Sequence, residues 1–393
     1  MGFLSGPVTL ESFRISGSKA RQFGPQHIKI LERFAIDRVE TSSLEDAAVG
    51  FLAGAHLFDH DFGLEKNVIG DALHCAVRID TNQIPAAVRK AWLQMEIAAL
   101  AADNPSGRPS KAQRQEAREA LQARWEEEAR SGKFRRMQQF PVLWDARNGL
   151  LHFGGTSSSA SDYCSDLFFR ALDLDLERLT VGKRALEWAA EAKRGKAMEE
   201  IRPATLHPDH APTEIAWWDN ESGNFDFLGN EFLLWLWWRW ETQSETVALP
   251  DGSEVTGMLA RTLALECPRG ASGKETITAE APASLPEAAQ AIRSGKLPRK
   301  AGLILVRHGV QYELVLQAET FSVSGARIRS EEAAEGRGVL KDRIENVRSL
   351  HETLNLLLAA FCERRIGKQW SADLDAICRW LKAGPAAARK RTA

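Results

Sequence analysis

The segment FLGNEFLLWLWWRWETQSE, residues 227–245, carries four of the twelve tryptophans of the chain within six positions. Three interpretations compete for it: a membrane anchor, an aromatic platform that binds a ligand, or a buried helix. Its longest apolar run, Phe232 to Trp238, is bounded by Glu231 and Arg239. A helix that spans a bilayer needs about 20 apolar residues in a row. The segment is therefore too short to be a membrane anchor.

The spacing of the tryptophans decides between the other two interpretations. Leu233, Leu234 and Leu236 alternate with the rings, so a helix over this segment is apolar around most of its circumference. Tryptophan can stack on nucleic-acid bases, but a helix that is apolar all round is usually buried. The segment predicts a core helix of the second half of the chain.

The composition is that of a globular protein with a balanced charge. The 393 residues are 44% hydrophobic and 26% charged, with 51 basic against 53 acidic side chains. The five cysteines are scattered and odd in number, which favours free thiols in the reducing cytoplasm over a disulfide framework. Any basic binding surface must therefore come from local segregation of charge.

Hydrophobic periodicity and turn residues predict an α+β fold. A mixed α/β N-terminal half carries a projecting helical hairpin, and a strand-rich second half is closed by C-terminal helices. The predicted regions are 1–184 with the hairpin at 84–131, a linker at 185–212, a strand-rich region at 213–330 around the tryptophan helix, C-terminal helices at 331–382 and a disordered basic tail at 383–393.

The hairpin at 84–131 is the most informative feature of the first half. Ser110 and Gln113 form a capping box that opens its second helix. Lys111, Arg114 and Arg118 share a face of this helix, and the same face continues as Leu121 and Trp125. A helix face that changes from basic to apolar predicts a hairpin packed at its root and solvated at its tip. Positive side chains on such a tip suit contact with phosphate groups.

Further basic residues extend this prediction beyond the hairpin helix. Residues 84–136 contain eleven Lys and Arg against seven Asp and Glu, in a chain that is slightly negative. The second basic run, between 293 and 307, contains no acidic residue. The candidate DNA-binding residues are Arg108, Lys111, Arg114, Arg118, Lys133, Arg135, Arg136, Arg293, Lys296, Arg299 and Lys300, with Arg307 at the end of the second run.

No catalytic signature stands out, and we expect no catalytic residue, metal or cofactor. Two alternatives from other classes stay open. A metal-dependent hydrolase would use the cluster His56, Asp59, His60 and Asp61. His207 and His210 form a separate candidate segment for metal binding. A protein–protein adaptor would use the final long helix, whose heptad-spaced apolar residues include Leu354 and Leu358, with His351 in one of the heptad places.

The order of these segments resembles the recombination-associated protein RdgC family in a long form. The similar segments are residues 72–100 with the charged hairpin after them, FPVLWDARNGLLHFGG at 140–155, FLGNEFLLWLWWRWE at 227–241 and SLPEAAQAIRSGKLPRKAGLILV at 284–306.

The resemblance implies a non-enzymatic protein that binds double-stranded DNA without sequence preference as a ring-shaped homodimer. It further implies antagonism of the RecA recombinase in recombination and replication, and association with the nucleoid. Lys111, Arg114 and Arg118 would lie on the tip that helps to close the ring. Phe134 would be a candidate for the dimer interface. The strand-rich stretch at about 213–330 is an insertion relative to short members of the family.

Overall fold

The computed structural model describes residues 2–17, 22–38, 47–82, 84–102, 104, 107–206, 224–268, 273–329 and 337–383. The first half contains the strands β1 (Val8–Ser16), β2 (Ala48–Leu52), β3 (Val68–Ile69), β4 (Ala72–Asn82), β5 (Arg135–Asp145), β6 (Leu150–Phe153) and β7 (Asp175–Arg178). Its helices are α1 (Pro25–Arg33), α2 (Leu64–Asn67), α3 (Ala86–Ala101), α4 (Lys111–Ser131), α5 (Ser158–Leu172), α6 (Val181–Glu191) and α7 (Gly195–Glu199).

The second half adds six strands and four helices within the described residues. The strands are β8 (Thr246–Ala248), β9 (Glu254–Glu266), β10 (Lys274–Ala279), β11 (Leu297–Arg307), β12 (Val310–Gln317) and β13 (Val323–Arg329). The helices are α8 (Phe227–Thr242), α9 (Pro286–Arg293), α10 (Arg337–Arg365) and α11 (Trp370–Ala383). The predicted α+β fold, with a strand-rich second half closed by C-terminal helices, is confirmed.

One antiparallel sheet runs through both halves in the order β10-β9-β11-β12-β13-β1-β6-β5-β4-β2. Strand β1 is the element that joins them. Its first residues, Val8 and Leu10, pair with β13, and the following residues 11–14 pair with β6. Because a single strand belongs to both parts of the sheet, the two halves share backbone hydrogen bonds at this point.

The tryptophan-rich segment forms α8, which lies against β9 and β11 and is covered by α6, α10 and α11. Every residue from Phe227 to Trp238 is buried. The ring of Trp235 packs 5.6 Å from that of Phe361, and Trp237 packs 5.4 Å from Trp380. The helix approaches the sheet so closely at Gly229 that a Cβ atom there would lie 1.9 Å from the carbonyl oxygen of Ala318. The prediction of a core helix is confirmed.

The polar residues at the start of α8 have partners inside this core. Asn230 donates to the carbonyl oxygen of Pro298 at 2.8 Å and to Glu319 at 2.7 Å. Glu231 accepts from Arg365 at 2.6 Å and from the backbone nitrogen of Ala204 at 2.7 Å. These bonds lower the cost of burying the polar side chains. None of the described helices is both long and apolar enough to cross a bilayer.

Between residues 185 and 206 the structure differs from the predicted linker. Helices α6 and α7 occupy most of this stretch, and α6 packs against α8 and α10. Ala185, Ala189 and Met198 are fully buried in the main core. The i, i+4 spacing of the two alanines supplies an apolar stripe that the many charged neighbours obscure in the sequence. Residues 207–212 of the predicted linker and residues 384–393 of the predicted tail lie outside the described residues.

Two histidines are buried in the fold, and a third, His351, is half-buried on α10. His74 on β4 is 5% exposed, and its Nε2 has no hydrogen-bond partner among the described residues. His152 on β6 is 1% exposed and lies 3.0 Å from the Ser12 hydroxyl. Burial lowers the pKa of His74 and that of His152 from 6.5 to about 4. Burial also lowers the pKa of His351 well below its ordinary value. All three are therefore neutral in the folded protein near neutral pH.

We expect the free energy of unfolding to fall as the pH drops from about 6.5 toward 4. In this window the unfolded chain protonates these histidines and the folded chain does not, so protons favour unfolding. The pKa displacements of His74 and His152 each correspond to on the order of 3 kcal/mol when fully expressed. Urea unfolding of His74→Gln at a series of pH values should show a shallower decline than the wild type. His308→Asn, at an exposed turn position, is the control. Identical declines in His74→Gln and wild type would contradict the assignment.

Candidate nucleic-acid interface

Helices α3 and α4 form the predicted hairpin and pack mainly against each other. Among the described residues of the two helices, only Trp92, Ala101 and Ala117 are buried. An element that buries so little of its surface in the main body projects from it. The predicted helical hairpin is thereby confirmed as a structural element.

The turn between the two helices is held by side-chain hydrogen bonds. The Ser110 hydroxyl accepts from the backbone nitrogen of Gln113 at 3.2 Å, and the Gln113 side chain accepts from the Ser110 backbone nitrogen at 2.9 Å. The Gln113 amide also donates to the carbonyl oxygen of Leu100 at 2.7 Å, which ties α4 to the end of α3. The capping box predicted from the sequence is present. It fixes the direction in which the first turn of α4 presents its side chains.

The basic residues of α4 lie on one side of the helix. Lys111, Arg114 and Arg118 are exposed. At 3.6 residues per turn they fall within about 60° of arc. The exposed Glu116 lies on the opposite side, and the exposed Glu119 lies about 80° around the helix from Lys111. Arg108, in the turn before α4, is also exposed. A nearly neutral protein thus presents a local cationic face at the tip of the hairpin.

Aromatic and cationic side chains build the root of the hairpin. The ring of Trp92 packs edge-on to that of Phe134 at 6.0 Å, and the Arg124 guanidinium lies 4.6 Å from the centre of the Trp92 ring. Arg89 lies 5.7 Å from the ring of Trp125. Phe134, the candidate for a dimer interface, is therefore half-buried against Trp92 of its own chain. This packing fixes the hairpin where it joins the sheet.

Truncating Trp92 should loosen the hairpin without unfolding the rest. We expect Trp92→Ala to raise hydrogen exchange of the α3 and α4 amides roughly 100-fold, because the loss of a large buried ring costs about 3 kcal/mol. Exchange in α8 should stay unchanged, since the hairpin packs mainly on itself. Met95→Ala on α3, where the side chain is 60% exposed, is the control. Faster exchange throughout the molecule would show that the root is not a local structure.

Three more candidate residues follow α4, and two of them, Lys133 and Arg135, contact acidic side chains. Lys133 is exposed, with its Nζ 3.5 Å from a Glu128 carboxylate oxygen. Arg135 pairs at 2.6 Å with Asp80, which is buried and also held by Arg78. Arg136 is exposed at the start of β5. This group extends the cationic face toward the sheet, with Arg135 partly neutralised.

The second basic run does not form a continuous cationic surface. Lys296 is 5% exposed and pairs with Glu275 on β10. Arg299 is half-buried between Glu266, at 2.9 Å, and Glu319, at 2.6 Å. Acids from neighbouring strands neutralise these two cations, although no acid interrupts the run in sequence. This placement removes Lys296 and Arg299 from the candidate interface.

The ends of the same run differ from its middle. Arg293, on α9, is exposed and donates to the backbone oxygen of Ala383 at 2.8 Å. Lys300 is exposed on β11. Arg307 is 5% exposed and pairs with Asp251 at 2.6 Å, so it too is removed from the candidate interface. Only Arg293 and Lys300 are accessible cations of this run.

The residues of the hydrolase alternative are engaged in structural contacts. Asp59 is buried and accepts from Lys66 at 2.6 Å and from the backbone nitrogen of Ala55 at 2.7 Å. His60 lies 3.5 Å from Asp37. Within the described residues no group of three or more His, Cys, Asp or Glu is arranged to hold a metal ion. His207 and His210 lie outside the described residues.

The adaptor alternative needs an apolar face of α10 that is free to receive a partner. Leu354 and Leu358 are 3% and 2% exposed. Together with Val347 and Phe361 they belong to the main hydrophobic core. The heptad-spaced face of α10 is therefore occupied within the chain itself.

A cleft between α6 and α10 was not predicted as a site. Its volume is about 610 Å³, and its wall contains Arg14, Arg184, Glu187, Arg348 and His351. They come from three segments that are far apart in sequence, around residues 14, 184–187 and 348–351, so no single local motif brings them together. The one sequence signal is His351, which stands where the heptad spacing of α10 calls for an apolar residue.

No family model matches the chain, and no curated protein is similar enough to count as a relative. The resemblance to the RdgC family therefore rests on the quoted segments alone.

Proposed function

We propose that this protein is a non-enzymatic, non-sequence-specific binder of double-stranded DNA that acts as a homodimer. The cationic face of the hairpin, composed of Lys111, Arg114 and Arg118 with Arg108 beside them, contacts the phosphate backbone. Lys133 and Arg136 extend the contact toward the sheet. The biological role proposed with it is modulation of RecA-dependent recombination and replication at the nucleoid.

The observation that carries the proposal is the separation of charge on a projecting, capped helix. Exposed lysine and arginine side chains at a protruding tip can approach phosphates without bringing the acidic remainder of the surface close to DNA. Phosphate contacts position a protein on the duplex but do not read its sequence. The expected binding is accordingly similar for unrelated sequences.

The near balance of 51 basic and 53 acidic residues has a consequence for this binding. There is no large net positive charge to attract DNA over long distances, so affinity depends on short-range contacts at the cationic face. Those contacts release counterions from the duplex and weaken as salt rises. Binding is therefore expected at low salt and should fall steeply toward physiological ionic strength.

Two considerations support the proposed homodimer: the resemblance to the RdgC family, and the small number of cations that a single hairpin tip presents to DNA. One hairpin presents three aligned cations on α4, and a second copy related by two-fold symmetry would double the number of phosphate contacts on one duplex. A closed ring would further slow dissociation from DNA.

Sedimentation velocity tests both parts of the proposal. The protein alone should sediment as a dimer, and at low salt it should carry fluorescein-labelled duplexes of two unrelated sequences with it to the same extent. A monomer that still carries DNA would overturn the homodimer. A dimer that carries neither duplex would overturn DNA binding and leave the resemblance as one of fold.

A further inference from the structure

The cleft between α6 and α10 is lined by both polar and apolar side chains. Arg184 contacts His351 and Asn355 in its wall, and Trp188 and Leu358 contribute ring and aliphatic surface. Its volume of about 610 Å³ is within the range of sites for small organic ligands. Its walls come from helices and strands that also form the core, so the cleft is a preformed feature of the fold.

Arg184 differs from the other arginines of the cleft in its partners. Arg14 pairs with Glu187 at 2.8 Å, Arg147 with Asp71 at 2.9 Å, and Arg348 with Asp145 at 2.6 Å. The guanidinium of Arg184 contacts only neutral groups in the described part of the chain. Its Nε donates to the backbone oxygen of Leu179 at 3.1 Å. Its Nη1 lies 2.6 Å from the Asn355 side-chain oxygen and 2.8 Å from Nε2 of His351.

This arrangement leaves a buried positive charge without a counter-charge in contact. Arg184 is 7% exposed, and burial lowers its pKa from 12.5 to about 9. Burial of a cation without an anionic partner is costly. Nη2 of Arg184 has no hydrogen-bond partner among the described residues and belongs to a side chain that lines the cleft. An oxyanion in the cleft would accept from this nitrogen and neutralise the charge.

None of the carboxylates that line the cleft contacts the guanidinium of Arg184. The charge of Glu187 acts on Arg184 and raises its pKa, but without a contact, because Glu187 is paired with Arg14. Glu345 is paired with Arg147 and Arg348. Glu352 is exposed and lies 3.4 Å from Arg307, and Glu191 is exposed as well. Arg184, which has no acid in contact among the residues that the structure describes, is also the least exposed of the charged side chains that line the cleft, at 7%.

We propose that this cleft binds a small organic oxyanion, a carboxylate or a phosphate ester that carries an apolar or aromatic group. The oxyanion pairs with Arg184, and the apolar group packs against Trp188. The site is separate from the cationic face of the hairpin and does not depend on DNA binding. Arginine suits this role because its planar donors match the oxygens of carboxylates and phosphates.

Thermal-shift titrations with inorganic phosphate, adenosine 5′-monophosphate and benzoate, each at constant ionic strength, test the site. At least one probe should stabilise the wild type in a saturable manner. Arg184→Met should weaken binding of that probe at least tenfold, and Arg170→Met, at an exposed helical position, should leave it unchanged. Absence of saturable stabilisation by all three probes would overturn the site, as would equal binding by Arg184→Met.

Two further variants and a competition with duplex DNA test which contacts hold the probe. Trp188→Ala should weaken binding of adenosine 5′-monophosphate and benzoate but not of inorganic phosphate, because only the first two carry a ring. If Arg184→Met does not fold, Arg184→Lys takes its place in the experiment. This variant keeps the charge but loses the planar donors, so it should bind the probe more weakly than wild type. An excess of duplex DNA should not displace the bound probe. Displacement would show that the cleft receives backbone phosphates and would overturn the small-molecule site.

Discussion

The triple variant Lys111→Ala, Arg114→Ala, Arg118→Ala is expected to bind duplex DNA roughly 100-fold more weakly than wild type at low salt. Each charge-assisted hydrogen bond to a phosphate contributes on the order of 1 kcal/mol, and three together correspond to about two orders of magnitude. The three side chains are exposed, so alanine should preserve the fold. Fluorescence anisotropy with labelled duplexes measures the effect, and circular dichroism checks the helix content.

The matched control removes the same charge elsewhere. Lys29, Arg33 and Arg38 are one lysine and two arginines, all exposed and outside the hairpin. Their triple alanine variant should bind DNA within about threefold of wild type, since only a screened, distant charge is lost. An equal loss in the two triple variants would show that net charge rather than the hairpin tip governs affinity.

The second large effect concerns stability, at the contact between α10 and the N-terminal sheet. Arg348 donates to both carboxylate oxygens of Asp145, at 3.0 Å and 2.6 Å, and also to Asp71 and Glu345. Asp145 has no exposed surface. Arg348→Ala leaves this carboxylate buried. Its remaining donors are both neutral: the backbone nitrogen of Arg147 and the side-chain amide of Asn148. We expect a loss of about 3–5 kcal/mol in the free energy of unfolding, measured by urea denaturation.

Arg147→Ala is the control for this prediction. Arg147 pairs with two acids of the same network, Asp71 and Glu345, but its side chain is 53% exposed. Exposed ion pairs contribute little, so a loss of less than about 1 kcal/mol is expected. The double variant Arg348→Ala, Asp145→Asn should recover part of the loss, because the buried charge is gone. Equal losses for Arg147→Ala and Arg348→Ala would contradict the account.

Much of the architecture was predictable from local patterns. The capping box at Ser110 and Gln113 and the all-round apolar character of α8 each gave the correct element. These features depend on neighbours within a few residues, which the sequence displays directly. The hairpin with its cationic face could be foreseen for the same reason.

The features that escaped prediction depend on long-range contacts. The run from Lys296 to Arg307 looked like a basic surface in the sequence. In the fold, acidic side chains from β9, β10 and the turn before β9 pair with its cations. Residues 185–199 looked like a linker because charged residues surround the buried Ala185 and Ala189. The contact between Arg184 and His351 in the wall of the cleft joins residues that are 167 positions apart. Only the tertiary fold determines which charges are paired.

The most direct test of the central claim is the salt dependence of duplex binding by wild type and by the triple variant at Lys111, Arg114 and Arg118. Each neutralised phosphate adds about 0.9 to the steepness of the log–log plot of affinity against salt, so the variant should be shallower by about 2.7. The difference should be the same on two unrelated duplexes. Parallel plots for wild type and variant would contradict the assignment of the hairpin tip as the DNA-contacting surface.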